Sequence, residues 1–406
     1  MKCNKSSAKG IRFMKQRRPA LALGLSTLAM ASSFMVWNVF SPIAGSLREA
    51  FGLTALQQSV LVAAPVLLGS VMRFPMGIFT DRFGGRRVFT SLLLFLVLPL
   101  LLTPFVSSYA TLLLSAFLLG MAGTAFSVSM TYVSKWYPPQ KQGLVLGLAG
   151  LGNLGVAMSS FLVPLVYRQY GLPGVFYGLA GLILVTAALF RWGAGELPLP
   201  EKKQTVQESL KVLRFRSTWL LSLFYFLTFG GFVAFSVYLP TLLKELFGMA
   251  AADAGLATAG FVAAATFIRP LGGYLADRIG SRQVLLGVFI GIAGAALLLA
   301  FSLKDFRIFA AGCLLAGLCF GLGNGAVFKM VPEIAPGHTG AVTGVVGAAG
   351  GVGGFFPPIV LGLLRDSGGT YMPGFVLLAL FACICLWLNG AGRRMKEREP
   401  AKVSAA

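Results

Sequence analysis

The sequence predicts an all-α integral membrane protein with twelve transmembrane helices in two pseudo-symmetric halves of six. Three observations lead to this fold class: an apolar composition, a series of long apolar segments and an internal repeat. Of the 406 residues, 56% are hydrophobic and 12% are charged, and the mean hydropathy is +0.80. Soluble domains carry charges on about 25% of their residues, so most side chains of this chain face lipid or protein rather than water.

Twelve apolar segments are long enough to cross a bilayer. A spanning helix needs about 20 apolar residues, and its backbone must satisfy its own hydrogen bonds, so each segment is predicted to be helical. The segments are 20–47, 55–79, 88–107, 110–135, 141–167, 172–192, 218–243, 253–275, 283–302, 306–331, 339–363 and 371–391. They leave no room for a soluble catalytic domain.

The longest polar stretch, residues 193–217, divides the segments into two groups of six. The apolar run after Pro19 is too long for the hydrophobic region of a signal peptide, so we expect it to remain as the first span. The predicted divisions are a basic N-terminal tail at 1–19, a first half at 20–192, a linker at 193–217, a second half at 218–391 and a C-terminal tail at 392–406.

Basic residues predict the orientation of the chain. Twenty-five of the 34 lysines and arginines fall in the tails and in loops on the same side, six fall on the other side, and three fall within helices. Because cytoplasmic loops carry the excess of Lys and Arg, we expect both tails and the linker in the cytoplasm, with the helices in the cell (inner) membrane. The net charge of +21 is then a topology signal, and we expect no nucleic-acid partner.

An internal repeat relates the two halves. The second segment reads RFPMGIFTDRFGGRR from Arg73, and the eighth reads RPLGGYLADRIGSR from Arg269. Arg73 and Arg269 are 196 residues apart, as are Asp81 and Asp277. Parallel six-helix repeats are a known plan for transporters, in which the substrate binds between the halves near the middle of the membrane.

The two arginines are predicted to lie deep in the membrane. Each precedes its loop aspartate by eight residues, which places it about 12 Å along the helix from the loop. An arginine at the bilayer centre costs about 2.5–3.5 kcal/mol. All thirteen acidic residues fall in loops, tails or helix ends, so no carboxylate is expected at that depth. A small anionic substrate would supply the missing counter-charge, and the planar guanidinium fork suits a planar oxyanion.

With these motifs the chain resembles the major facilitator superfamily. The resemblance rests on the loop pattern GxxxDRxGGRR from Gly77 to Arg87 and on its degenerate copy from Gly273 to Arg282. More narrowly, the chain resembles the nitrate/nitrite porters. The paired arginines carry that resemblance, together with two glycine-rich runs, GLAGLGNLG over 147–155 and GVVGAAGGVGGFF over 344–356. The second run lacks an asparagine matching Asn153.

The resemblance implies the substrate site. Its residues would be Arg73, Arg269, Asn153, Tyr225, Phe126 and Phe229. An amide in an apolar helix needs a partner, so Asn153 would donate to an oxygen of the anion, and the aromatic residues would form the walls. Trp37, Asn38 and Phe40 in the first segment are weaker candidates.

A second set of residues is predicted to act as conformational latches that bond helix ends of the other half and hold one closed state. This set consists of Gly77, Asp81, Arg82, Arg86, Arg87, Asp277 and Arg278. Lys329 is open to two interpretations. We favour an extended side chain that reaches the cytoplasm or pairs with Glu333, and the alternative is a vestibule charge for the anion.

The predicted function is nitrate/nitrite transport by alternating access, with nitrate imported in exchange for nitrite, as in nitrate assimilation. The alternatives are proton-coupled nitrate uptake, a small organic-anion exchanger of the oxalate or formate type, and a nitrate sensor with a transporter fold. We expect no enzyme, because no nucleophile–base set, phosphate loop or metal cluster is visible. The five cysteines show no CxxC spacing, so no metal, disulfide or cofactor is expected, and we expect a monomer.

Overall fold

A computed structural model describes residues 5–197, 210–334, 338–368 and 370–391 of the chain. Every regular element in these residues is an α-helix or a short 3-10 helix. The α-helices are Lys5–Trp37, Ala44–Phe51, Ala55–Val71, Arg73–Phe83, Gly85–Leu102, Tyr109–Leu119, Ala125–Ser134, Gln142–Ala149, Leu154–Gly193, Arg216–Phe247, Ala251–Phe267, Arg269–Ile279, Ser281–Phe301, Phe306–Ile334, Thr339–Gly368 and Met372–Ala391. The 3-10 helices are Ser41–Ile43, Thr103–Phe105, Gly120–Thr124, Pro139–Lys141, Gly150–Asn153 and Lys211–Arg214.

The predicted twelve-span, all-α fold is confirmed. The described residues contain 11 helical runs that are long and apolar enough to cross a membrane. One of them, Pro139–Gly193, has 55 residues. At 1.5 Å per residue it is about 80 Å long, more than twice the ~30 Å thickness of the hydrocarbon core. Gly171 interrupts it with φ +64° and ψ −164°, a conformation that favours glycine. This run therefore contains the fifth and sixth spans.

The helix bounds differ from the predicted segments at the start of the chain. The first helix begins at Lys5, inside the predicted N-terminal tail, and ends at Trp37 rather than near residue 47. Pro42 lies in the 3-10 helix that follows, and its missing N–H and its ring disfavour continuation of the α-helix at this point. Residues 198–209 of the predicted linker and the predicted C-terminal tail at 392–406 lie outside the described residues.

The even-numbered spans finish at one end of the bundle, because each pair of crossings returns the chain to the same side. We call it the basic end, after its arginines and lysines. It is marked by the spans' last residues Phe83, Ser134, Gly193, Ile279 and Pro332. The seventh span starts there, at Arg216.

Four spans are locally irregular in their middle. The second span is broken at Met72 and the eighth at Ile268, so Arg73 and Arg269 are each the first residue of a new helix. The fourth and fifth spans contain the 3-10 stretches Gly120–Thr124 and Gly150–Asn153. Mid-helix 3-10 geometry often marks a functional hinge.

Candidate functional site

Arg73 and Arg269 lie in the interior of the bundle. Their side chains are 0% and 1% exposed, which makes them the two largest fully buried side chains of the described residues. The breaks at Met72 and Ile268 place both arginines at equivalent points of the two halves. The sequence-based expectation of two deep cations thus matches the observed burial.

Backbone carbonyls from both halves hold Arg73. Its Nε donates to the carbonyl oxygen of Gly123 at 3.1 Å, and its Nη1 donates to that of Gly347 at 2.6 Å. Its Nη2 is buried without a hydrogen-bond partner among the described residues. Gly123 belongs to the irregular stretch of the fourth span, whose geometry presents this carbonyl to the arginine.

Arg269 is held more loosely. Its Nη2 donates to the hydroxyl of Tyr225 at 3.5 Å, the upper limit of a hydrogen bond. Its Nε and Nη1 are buried and have no partner among the described residues. The pair therefore presents three buried guanidinium nitrogens that need an acceptor.

Aromatic rings surround both guanidinium groups. The ring of Phe126 lies 5.2 Å from the Arg73 Cζ and 5.4 Å from the Arg269 Cζ. Phe229 lies 5.3 Å from the Arg73 Cζ, and Phe328 lies 5.8 Å from the Arg269 Cζ. These contacts stabilise each cation but leave its in-plane N–H donors available.

Tyr225 joins the same cluster of rings. It stacks on Phe229 with centroids 4.9 Å apart and an interplanar angle of 7°, and its centroid lies 5.9 Å from that of Phe126. The sequence therefore indicated three of the four aromatic residues at the arginines and missed Phe328. No spacing signal distinguishes Phe328 among the 34 phenylalanines of the chain.

No acidic side chain balances the two arginines in the described part of the chain. The ion pairs there join Arg86 with Glu196, Lys135 with Asp81, and Lys329 with Asp277. A buried charge without an opposite charge is unfavourable. When one partner of a buried ion pair is removed in other proteins, the uncompensated charge typically costs about 3–5 kcal/mol. The arrangement therefore favours a diffusible anion between the halves.

Each glycine-rich run covers the arginine of the opposite half. A side chain at Gly150 of the fifth span would place its Cβ 2.7 Å from the Arg269 Cζ. A side chain at Gly347 of the eleventh span would place its Cβ 3.3 Å from the Arg73 Cδ. The glycines thus let the backbones approach closely, and the two arginines lie at the interface between the halves.

Asn153 lies on the same helix face as Gly150. The two residues begin and end a 3-10 helix, in which positions three apart are eclipsed. Asn153 is buried, and its Oδ1 has no partner among the described residues. The two glycine-rich runs pair at an offset of 197 residues, as Gly150 does with Gly347, so Gly350 corresponds to Asn153. A Cβ at Gly350 would lie 2.7 Å from Cε1 of the Tyr225 ring. Tyr225 therefore fills the place that an asparagine occupies in the first half.

The weaker candidates of the first span contact the first half rather than the arginines. The Nε1 of Trp37 donates to the carbonyl of Pro65 at 3.0 Å, and the Nδ2 of Asn38 donates to Ser160 Oγ at 3.1 Å. Phe40 packs on Phe176. These three predicted side chains have structural partners.

Asp81 connects the two halves at the basic end. Its Oδ2 accepts from the backbone N–H of Gly340 at 2.7 Å, and its Oδ1 lies 2.7 Å from Lys135 Nζ. Gly77, one turn earlier, packs directly against the backbone of Gly340. A carboxylate at the start of the eleventh span is favourable, because a helix N-terminus carries partial positive charge.

Asp277 makes the equivalent contact in the opposite direction. It accepts from the backbone N–H groups of Gly143 at 3.1 Å and Leu144 at 2.9 Å, at the start of a helix in the fifth span. Its Oδ1 lies 3.4 Å from Lys329 Nζ, and Lys329 also donates to the carbonyl of Pro139. The sequence did not indicate the pairing of Lys329 with Asp277. The side chain of Glu333, its expected partner, is outside the described side chains.

The role of the predicted latch arginines stays a prediction, and the contacts observed for them are with neighbouring residues of the same half or of the linker. Arg86 pairs with Glu196 at 3.6 Å, Arg82 lies over the ring of Phe83 and Arg278 lies over the ring of Tyr274. Arg87 borders a surface cavity beside the second and third spans.

Comparison with known proteins places this geometry in a family. The sequence model described as Major Facilitator Superfamily matches residues 26–253 and 221–405. Two solved structures share the fold. The structure of a human organic anion transporter has a TM-score of 0.78 and 17% sequence identity, and the match covers 91% of this chain and 99% of that chain. The structure of a proton:xylose symporter has a TM-score of 0.79 and 14% identity, and the match covers 92% of this chain and 95% of that chain.

Curated relatives are similar over nearly their whole length. The nitrite extrusion protein of Bacillus subtilis is 38% identical over 387 residues, which cover 94% of this chain and 98% of the relative. A protein of Mycobacterium tuberculosis named as a probable nitrate/nitrite transporter is 37% identical over 400 residues, 96% of this chain and 100% of the relative. A probable nitrate transporter of Staphylococcus epidermidis is 36% identical over 374 residues, 92% and 96%. The chain therefore belongs to the major facilitator superfamily and, within it, to the nitrate/nitrite porters.

Proposed function

We propose that this chain carries nitrate and nitrite across the cell membrane and binds them between Arg73 and Arg269. Relatives at 36–38% identity are named for nitrate or nitrite transport. The observation that carries the proposal is the set of three buried, unpartnered guanidinium nitrogens, Nη2 of Arg73 and Nε and Nη1 of Arg269. A small anion at this point supplies both the acceptors and the missing negative charge.

The surroundings of the pair favour a planar anion. Phe126 lies beside both guanidinium groups, with Phe229 beside Arg73 and Phe328 beside Arg269. A guanidinium group donates in its own plane, which suits the trigonal oxygens of nitrate and the bent oxygens of nitrite. The amide of Asn153 is a further donor for an oxygen of the anion.

Transport follows from alternating movement of the halves around the bound anion. In the described state the basic end is closed by two cross-half contacts, Asp81 with the N–H of Gly340 and Asp277 with those of Gly143 and Leu144. Opening that end breaks both contacts, and closing the other end needs the two arginines to stay close. An anion relieves the repulsion between them, so the loaded carrier changes conformation more readily than the empty one.

The same reasoning favours exchange over proton symport. The described residues place no carboxylate or imidazole in contact with either arginine. Proton-coupled transport normally uses such groups as relays within the membrane. We therefore propose exchange of external nitrate for internal nitrite, with both termini and the linker in the cytoplasm.

Counterflow in proteoliposomes tests the proposal. Vesicles filled with nitrite are placed in nitrate, and uptake is followed for the wild type, Arg73→Lys and Arg269→Lys. Lysine keeps the charge but loses the planar fork, so both variants should lose about 100-fold in exchange rate. Arg168→Lys is the matched control, because Arg168 is an exposed arginine of the same bundle, and it should exchange at the wild-type rate.

Two further arms separate the alternatives. An imposed pH gradient without internal anion should drive no uptake in an exchanger, whereas a proton symporter would accumulate nitrate. Formate or oxalate in excess should compete weakly and nitrite strongly, whereas an organic-anion exchanger would show the reverse order. Full exchange by either arginine variant would remove that residue from the binding site.

A further inference from the structure

The indole of Trp37 lies where the first, second and fourth spans meet. It is 8% exposed, and its Nε1 donates to the carbonyl of Pro65 at 3.0 Å. Pro65 lies inside the helix Ala55–Val71. A proline within a helix removes one backbone hydrogen bond and bends the helix. The indole therefore binds the second span at the turn that the proline weakens.

Two glycines leave room for the indole between the second and fourth spans. A Cβ at Gly69 would lie 2.9 Å from the Nε1 of Trp37, and a Cβ at Gly123 would lie 2.8 Å from the same atom. A Cβ at Gly123 would also lie 3.2 Å from the Cα of Gly69, so the two backbones touch beside the ring. The ring and the two glycines together set the distance between these spans.

This contact lies directly beside the anchor of Arg73. Gly69 precedes Arg73 by four residues in the second span, and the carbonyl of Gly123 accepts from the Nε of Arg73 at 3.1 Å. A charge-assisted hydrogen bond depends on its distance and angle, so a shift of Gly123 changes the orientation of the guanidinium group. The direction of the unpartnered Nη2 changes with it.

The second half is built differently at the equivalent place. At the offset of 196 residues that relates the second and eighth spans, Pro65 corresponds to Phe261. A Cβ at Gly317 of the tenth span would lie 2.7 Å from the Cε2 of Phe261, so here the ring comes from the eighth span itself. The tenth span is one continuous α-helix, Phe306–Ile334. Arg269 has no carbonyl partner in the described part of the chain.

The two halves therefore differ in three linked features. In the first half an indole between the spans accompanies a 3-10 stretch and an arginine anchored on a carbonyl. In the second half a ring of the span itself accompanies a regular helix and a loosely held arginine. The contact of the indole with Gly123 joins the first feature to the other two.

We propose that Trp37 is a positioning residue for the substrate site. Its indole holds Gly123 at the distance at which the Gly123 carbonyl orients Arg73, and the Nη2 of Arg73 is thereby directed at the anion. Trp37 acts through Gly123 and Arg73 rather than by contact with the anion. This inference rests on the proposed binding of nitrate and nitrite at the arginine pair.

The variant Trp37→Phe in nitrite-filled proteoliposomes tests the inference. Phenylalanine keeps a ring, removes the N–H that Pro65 accepts and leaves the space beside Gly69 and Gly123 partly empty. We expect the KM for nitrate to rise about tenfold, because the guanidinium group is misdirected, and the maximal exchange rate to change by less than about twofold.

Trp219→Phe is the matched control. The Nε1 of Trp219 also donates to a backbone carbonyl, that of Leu213 at 2.7 Å, near the start of the seventh span. Both tryptophan variants lose one indole hydrogen bond, so both should have a lower Tm without anion. Only Trp37→Phe should raise the KM for nitrate and reduce the rise in Tm that nitrate causes.

A double-variant cycle tests the contact between the indole and Gly123 independently. The Cβ of Gly123→Ala would press mainly against the indole, at 2.8 Å from Nε1 and 3.0 Å from Cδ1. Trp37→Val makes space for that methyl group. The KM for nitrate of the double variant should therefore be lower than the two single effects predict when they are added as free energies.

Three outcomes contradict the proposals. Additive effects in the cycle overturn the inference, because the indole then does not act through Gly123. A nitrate KM and a nitrate-induced rise in Tm equal to those of the wild type in Trp37→Phe also overturn it, and both results leave the proposed function standing. A wild-type protein without nitrate counterflow overturns the proposed function as well.

Discussion

Arg73 and Arg269 occupy equivalent places in the repeat, yet their surroundings differ. Arg73 is anchored by carbonyls of both halves, Gly123 and Gly347, and keeps one nitrogen unpartnered. Arg269 has a single long bond to Tyr225 and keeps two. The comparison teaches that sequence symmetry does not make the two cations equivalent. Arg73 connects the halves, and Arg269 depends more on the bound anion.

The largest expected difference concerns the glycines that cover the two arginines. A Cβ at Gly150 would lie 2.7 Å from the Arg269 Cζ, whereas a Cβ at Gly347 would lie 3.3 Å from the Arg73 Cδ. Gly150→Ala must therefore displace the guanidinium group from the rings of Phe126 and Phe328. We expect nitrate exchange to fall about 30-fold in Gly150→Ala and about threefold in Gly347→Ala, because charge-assisted hydrogen bonds depend on geometry. Equal losses in the two variants would contradict the proposed difference.

The next expected difference is in the stability of the empty protein. Arg269→Gln removes a buried charge that lacks an acidic partner, so its Tm without anion should rise. Arg73→Gln leaves the carbonyls of Gly123 and Gly347 without their donor, which costs about 1–3 kcal/mol, so its Tm should fall. Thermal unfolding with and without nitrate checks both signs. Nitrate should raise the Tm of the wild type but not the Tm of either variant. If Arg269→Gln without anion has a lower Tm than the wild type without anion, the account of Arg269 is refuted.

The smallest expected difference is at the basic end. Asp81 accepts from one backbone N–H group, and Asp277 accepts from two. Asn in place of either aspartate loses the ion pair with lysine and weakens the contact with the helix start. Hydrogen exchange should become faster at Gly340 in Asp81→Asn, and at Gly143 and Leu144 in Asp277→Asn. We expect the transport rate to fall about threefold in each of the two variants. If the hydrogen-exchange rates of these amides do not change, the aspartates do not hold the basic end closed.

The fold and the central pair of cations were accessible from the sequence for clear physical reasons. Spans are long and apolar, and eight residues of helix between Arg73 and Asp81 fix the depth of the arginine without any knowledge of packing. The positions of the acidic residues likewise predicted that no carboxylate would reach that depth.

The remaining contacts depend on which helix faces meet. The carbonyl of Gly123 is exposed to Arg73 only because the fourth span adopts a 3-10 stretch, and Phe328 lies at Arg269 only through the packing of the tenth span. The pairing of Lys329 with Asp277 joins residues 52 positions apart across two spans.

A density map of the nitrate-bound protein tests the central claim most directly. We predict one planar density between Arg73 and Arg269, beside the ring of Phe126, with its oxygens within hydrogen-bond distance of Nη2 of Arg73 and of Nη1 of Arg269. Nitrate bound elsewhere, or a protein carboxylate in contact with both arginines in a transport-active protein, would contradict the account.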